Sequence, residues 1–174
     1  STPSGKIEIF SETVDSFNYQ DCPGHPTWLE QKEWLGSNLT KQYPLQLISG
    51  QPHNRLHSQL DNGSESQNYK ILGREPIKIH LQDAQSRGLI NGDIVEVFNK
   101  RGKCLAGVII SNEVMKGVVF LAVGAWYDPI NDGDFCIHGN PNVLTEDIGT
   151  SSLAQGPSAH STLVEIKKYT KEPP

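Results

Sequence analysis

Ile94-Val-Glu-Val-Phe98, Asn99-Lys-Arg-Gly102 and Lys103-Cys-Leu-Ala-Gly-Val-Ile-Ile110 decide the fold class. Two runs of β-branched and apolar residues flank a four-residue turn, the pattern of a β-hairpin, and Gly102 is predicted at positive φ. Upstream, Ile77-Lys-Ile-His80 reads as a strand. Asp83 then stands as the N-cap of a one-turn helix over Ala84-Gln-Ser-Arg87, closed by Gly88. Pro44-Leu-Gln-Leu-Ile-Ser49 is a further strand, stopped by Gly50 and Pro52, after which His53 to Leu60 is expected to begin a short helix. Downstream, Val118 to Val123 and Thr162 to Lys167 complete the strands. Near the start, Lys6-Ile-Glu-Ile-Phe10 alternates as a short strand within an irregular tract holding Pro23, Gly24, Pro26, Trp28 and Trp34. Short strands at close spacing with little helix predict a mostly β fold, closed or nearly closed into a barrel rather than a doubly wound sheet.

Bulk properties remove several classes of function. The 174 residues are one domain's worth, and 36% hydrophobic content allows a core with a loop-rich surface. A net charge of −5, with no Lys/Arg cluster, disfavours nucleic acid. Apolar runs such as Val118 to Ala125 fall well short of the roughly 18 residues of a membrane span. Cys22, Cys104 and Cys136 are odd in number and lack metal-ligand spacing, so free thiols are expected, with no metal site. No hydrolase, zincin, P-loop or dinucleotide-fold string occurs, and no catalytic residue is assigned. The chain opens at Ser1 without Met or an apolar leader, so preceding residues are expected to have been removed.

Polar segments carry the functional signal. Residues 139 to 156 hold Asn140, Asn142, Thr145, Asp147, Thr150, Ser151, Ser152 and Gln155 among Gly139, Gly149 and Gly156. Such a run offers neutral donors and acceptors with close backbone approach to a heteroatom-rich ligand; the alternative is a loop that bonds only to itself. Ser49, Gly50, His53, Asn54 and Arg55 lie between a strand and an expected helix start. There a phosphate could meet free N–H groups and an Arg55 clamp, or the residues could be an ordinary turn beside a surface arginine. Glu75 could accept from a guanine or pair with Arg74 at the entry to a strand, and the structural role is favoured. Lys100 and Arg101 read as solvated hairpin residues more readily than as phosphate ligands. Trp126 either floors a pocket or packs at a strand end.

Taken in order, Ile48-Ser-Gly-Gln-Pro-His-Asn-Arg-Leu-His-Ser-Gln-Leu60, Gly73-Arg-Glu-Pro-Ile77, Gly124-Ala-Trp-Tyr-Asp-Pro129 and the 139 to 156 run resemble the C-terminal domain of the dimethyl sulfoxide reductase family of molybdenum enzymes. Within that family the strings look most like those of trimethylamine N-oxide and biotin sulfoxide reductases, and the likeness runs from about Pro44 to Tyr169. It implies a double-psi β-barrel over 41–170, preceded by an arm or linker over 1–40 and followed by a tail over 171–174. It also implies that the domain holds the guanosine diphosphate parts of bis-molybdopterin guanine dinucleotide. The cofactor residues implied are Ser49, Gly50, His53, Arg55, His57, Ser58, Gln59, Trp126, Asn142, Asp147, Gln155 and Gly156. The family often continues with Asn-Cys-Gly-Gln where this chain has Pro157-Ser-Ala-His160.

The parent enzyme would reduce an S-oxide or N-oxide, with the molybdenum-ligating serine on N-terminal domains of the same polypeptide, so this domain alone is expected to be inactive. A cytochrome electron donor and a periplasmic location are implied, or a cytoplasmic one for the biotin sulfoxide reductase type. The rival expectation is a standalone double-psi barrel acting as a binding module, for which the polar 139 to 156 loop would be superfluous.

Overall fold

The computed structural model describes residues 2–130 and 135–174. Contacts divide the chain into two compact units, residues 1–31 with 147–158 and residues 32–146 with 159–174. This differs from the expected break at residue 40. Residues 32–40 belong with the barrel because the Glu33 carboxylate is buried there, accepting from Arg101 Nη1 and Nη2 at 2.6 and 2.8 Å and from Leu163 N at 2.9 Å.

The larger unit contains β1 (Leu45–Ile48), β2 (Pro76–Ile79), β3 (Ile94–Phe98), β4 (Lys103–Ile110), β5 (Val118–Leu121), β6 (Pro129–Ile130), β7 (Phe135–Cys136) and β8 (Leu163–Lys168). Neighbours run β2-β5-β1-β8-β3-β4, and β4 returns to β2, closing a six-stranded barrel. Its two parallel pairs are β1 with β5 and β2 with β4, and the other junctions are antiparallel. Closure removes the exposed edges that short strands would otherwise present. Leu45, Leu47, Ile77, Ile79, Val95, Val97, Val119, Leu121 and Val164 form the sealed core. Each of these side chains contributes roughly 1.5–3 kcal/mol through burial.

All six barrel strands fall where the sequence places them; the brief β6–β7 pair was not anticipated. The hairpin of β3 and β4 closes differently from expectation. Gly102 lies outside the left-handed region, and Asn99 organises the turn by accepting from Arg101 N at 2.9 Å. Arg101 is not a solvated residue, since it makes the two-pronged pair with Glu33 and also donates to Leu144 O at 2.6 Å.

The helix after β2 spans Leu81–Gln85, one turn earlier than expected, with His80 as its cap. Asp83 lies inside it, and its buried carboxylate accepts from Gly117 N at 2.7 Å. No helix starts at His53. Arg55 turns inward and His57 and Leu60 take positive φ values of 50° and 62°, which no right-handed helix tolerates. The helix of this excursion comes later, at Ser64–Tyr69.

In the smaller unit Ser11 caps a turn of helix at Glu12–Asp15, accepting from Val14 N at 3.3 Å. The expected strand over 6–10 does not form. Ile7 and Ile9 are 95% and 79% exposed, and an alternating pentapeptide without a paired strand has nothing to hold it extended. Ser152 N and Oγ donate to Asp21 Oδ2 at 2.9 and 3.0 Å, which joins the 147–158 segment to this unit.

Candidate functional site

Two loops from the barrel and a 3-10 turn wall an open cavity of about 760 Å³ lined by Ser49, Gly50, Gln51, His57, Ser58, Val123, Gly124, Ala125, Trp126, Tyr127, Asn140 and Asn142. The first loop leaves β1, the second leaves β5, and Asn142 sits in the turn at Pro141–Val143.

Each wall has an identifiable cause. Ser49 N donates to His160 Nδ1 at 3.3 Å, so one of the residues that departs from the family string fastens the end of β1. Gln51 Oε1 accepts from His57 N at 3.0 Å, folding the first loop back on itself. Trp126 Nε1 donates to Ser58 O at 2.7 Å, bridging the two loops. Gly124, at φ +95, lies so near His57 O that a Cβ there would overlap it. At Gly139, φ +84, a Cβ would lie 2.8 Å from Glu75 Cβ and 3.0 Å from Leu105 O, and this contact brings Asn140 and Asn142 to the cavity. The Asn140 side chain accepts from Asn142 N at 2.9 Å and starts the turn.

Behind the two loops is a sealed ionic cluster. Arg55 Nη2 lies 3.1 Å from Glu75 Oε2 and donates to Val123 O at 2.8 Å, while its Nε donates to His57 O at 3.2 Å and lies 3.6 Å from Asp61 Oδ1. Asp61 Oδ2 accepts from Lys70 Nζ at 2.9 Å and from Trp126 N at 3.0 Å. Burial pushes the Glu75 carboxyl above the ordinary carboxylate range, partly opposed by Arg55 and Lys70. Thus Glu75 has the expected structural role, but its partner is Arg55 rather than Arg74.

The sequence-derived candidates separate accordingly. Ser49, Gly50, His57, Ser58, Trp126 and Asn142 meet on the cavity, with Trp126 48% exposed. Arg55 does not face it: the guanidinium is wholly enclosed, so the expected diphosphate clamp is replaced by an internal ion pair. His53 lines a second, more apolar cavity of about 350 Å³ beside Phe120 and Pro52. Gln59 is exposed and donates its N–H to Leu56 O in a local turn. Asp147, Gln155 and Gly156 belong to the smaller unit. There Gln155 Nε2 donates to Ser151 O at 2.9 Å and Gly156 O accepts from Thr150 N at 3.0 Å, a loop bonding to itself. Sequence reading names Asn140 only within the 139 to 156 run and leaves Gln51, Val123, Gly124, Ala125 and Tyr127 out of the site; the Gly-Ala-Trp-Tyr string after β5 is the available signal.

The chemistry of the lining fits the polar part of a nucleotide held by neutral groups. It contains no Lys or Arg, but it offers amides, an imidazole, hydroxyls and aromatic surface. Ser49 lines this cavity through its residue surface, while its Oγ is buried with no hydrogen-bond partner among the described residues. No group of three or more His, Cys, Asp or Glu among the described residues could hold a metal. The free thiols of Cys104 and Cys136 are fully buried on paired strands; burial, with Cys136 and Glu96 nearby, raises the Cys104 thiol well above its usual range.

Residues 45–163 match the molydopterin dinucleotide binding domain family. Among curated proteins, the trimethylamine-N-oxide reductase of Haemophilus influenzae is 50% identical over 172 residues, covering 97% of this chain and 21% of that protein. Trimethylamine-N-oxide reductase 1 of Escherichia coli K12 is 53% identical, covering 97% and 20%. The dimethyl sulfoxide/trimethylamine N-oxide reductase of Rhodobacter capsulatus is 45% identical, covering 97% and 21%. The chain therefore spans about a fifth of the length of these relatives. Among solved structures, acetylene hydratase from Pelobacter acetylenicus superposes with a TM-score of 0.77 at 20% identity, covering 97% of this chain and 24% of that one, which shows a shared fold.

Proposed function

The chain belongs to the molydopterin dinucleotide binding domain family, and on that premise we propose that it holds the nucleotide end of bis-molybdopterin guanine dinucleotide in a longer N-oxide or S-oxide reductase. The observation that carries this reading is the meeting of Ser49, Gly50, His57, Ser58, Trp126 and Asn142 on one cavity lined by amides, an imidazole, hydroxyl-bearing residues and aromatic surface. Ser49, His57 and Ser58 serve the diphosphate side as neutral donors, and Asn140 with Asn142 serves the base. Trp126 and Tyr127 supply flat apolar surface, and the loop carbonyls are already engaged by Arg55 and Trp126. When bound, the cofactor's molybdenum supplies oxygen-atom transfer from the oxide, while this chain supplies binding and orientation.

Trimethylamine N-oxide or dimethyl sulfoxide is the preferred substrate on this reading, ahead of biotin sulfoxide, because the named relatives act on the former pair. The reading includes a periplasmic location and a cytochrome donor, checked by fractionating cells and by reduction assays with the longer protein. No helix among the described residues is long and apolar enough to cross a membrane.

The binding test is titration of the labelled chain with GDP. Amides of Ser49, Ser58, Trp126 and Asn142 should move together at weak affinity, with no oxide turnover by this chain alone. Shifts confined to the Asn99–Gly102 hairpin, no shifts at all, or molybdenum-dependent turnover by the chain alone would overturn the reading.

A further inference from the structure

The buried charges behind the cavity do more than fill space. Asp61 is 1% exposed and touches no part of the cavity surface, yet one of its oxygens accepts the backbone N–H of Trp126, which lines that surface. Arg55 holds its own loop by His57 O and the facing loop by Val123 O. The Ser64–Tyr69 helix and its terminal residue bring Gln67 Nε2 to Asp61 O at 2.8 Å and Lys70 Nζ to Asp61 Oδ2 at 2.9 Å. Two loops from different strands are thus tied to one enclosed set of two cations and two acids.

Removing one member of such a set leaves an uncompensated charge in a low-dielectric interior, so the set is held or lost as a whole. The exposed Trp126 Nε1–Ser58 O bond ties the two loops in front, and the enclosed contacts of Arg55 and Asp61 back it from behind. We propose that Asp61, with Arg55 and Lys70, is the positioning device of the nucleotide cavity, fixing the Trp126 wall against the His57–Ser58 wall before any ligand arrives. This rests on the reading of the cavity as the nucleotide site.

The test compares this chain with Asp61→Ala and Asp61→Asn. Asparagine keeps an oxygen for Trp126 N but loses the charge, whereas alanine loses both. Two quantities are read: GDP affinity by titration, and hydrogen exchange of the Trp126 amide without ligand, against Val95 and Val97 in the barrel core. Asp61→Ala should weaken GDP about tenfold, with Asp61→Asn between it and the unaltered chain. Trp126 exchange should quicken in the same order while Val95 and Val97 keep their protection.

Unchanged affinity and exchange in Asp61→Ala would overturn the proposal. So would core protection falling in step with Trp126, which is the mark of a merely structural residue. If the alanine variant does not fold, the asparagine variant decides by the same comparison, with about threefold weakening expected. Absence of GDP binding by the unaltered chain would instead defeat the functional reading, and the ligand-free exchange would still decide the role of Asp61.

Discussion

At the scale of single residues, Gly124 shows how little side chain a cavity wall can have and still depend on residue identity. Its φ of +95 and its overlap with His57 O leave no room for a methyl group, and the atom that would be struck is backbone rather than a flexible side chain. Gly88 also has a positive φ, +62, but faces open space. Gly88→Ala should therefore cost only the left-handed strain of an L-residue, about 1–2 kcal/mol. Gly124→Ala should cost more and should displace the His57–Ser58 wall. Urea unfolding of both variants, with GDP titration of whichever folds, checks the contrast; equal losses of stability would show that the close approach is not limiting. Arg55 teaches the complementary lesson. Its type and position in the string pointed to an anion, but a guanidinium satisfies a buried carboxylate equally well, and only the three-dimensional path shows that Glu75 and Asp61 surround it.

At the scale of elements, Glu33 ties the segment before β1 to the β3–β4 hairpin and to the start of β8. Burial alone would raise its carboxyl, but hydrogen bonds from Arg101 and Leu163 N, with the charges of Arg101 and Lys100, hold it below the ordinary value of 4.5. A carboxyl with a lowered folded pKa contributes stability above its unfolded value, lost as pH falls through the folded one. Glu33→Gln should therefore destabilise the chain near neutral pH, and its deficit should shrink below 4.5. The raised Glu75 carboxyl acts in the opposite direction but is common to both proteins and cancels from the difference. Urea midpoints across that range check this, and a deficit independent of pH would refute it. The barrel strands were legible because each is a short apolar run between Gly, Pro or Asn, a local pattern that closure does not alter. The excursion between β1 and β2 was not, because its conformation follows from Arg55 and Asp61 finding Val123 and Trp126 far along the chain.

At the scale of the whole molecule, stability and binding make opposite demands on the cavity, and Ser49 is where they can be separated. Its hydroxyl is buried at the end of β1 with no hydrogen-bond partner among the described residues, so in the free chain it carries a desolvation cost that alanine would remove. Two of the three walls, His57–Ser58 and Trp126, owe their placement to the ionic cluster rather than to this hydroxyl, so truncation should leave the cavity's shape intact. Ser49→Ala should consequently hold or raise the thermal midpoint of this chain. In the longer protein of the proposed function, the same change should reduce retained molybdenum and guanine together by about two- to tenfold, the worth of one neutral hydrogen bond. Relative activity on trimethylamine N-oxide and dimethyl sulfoxide should stay constant if this wall holds the nucleotide end, as proposed. The measurements are the midpoint, the metal and guanine content per purified protein, and the ratio of the two activities. A lowered midpoint with full cofactor content would mean that Ser49 serves the fold and not the ligand. A changed activity ratio would move this wall of the cavity to the substrate side.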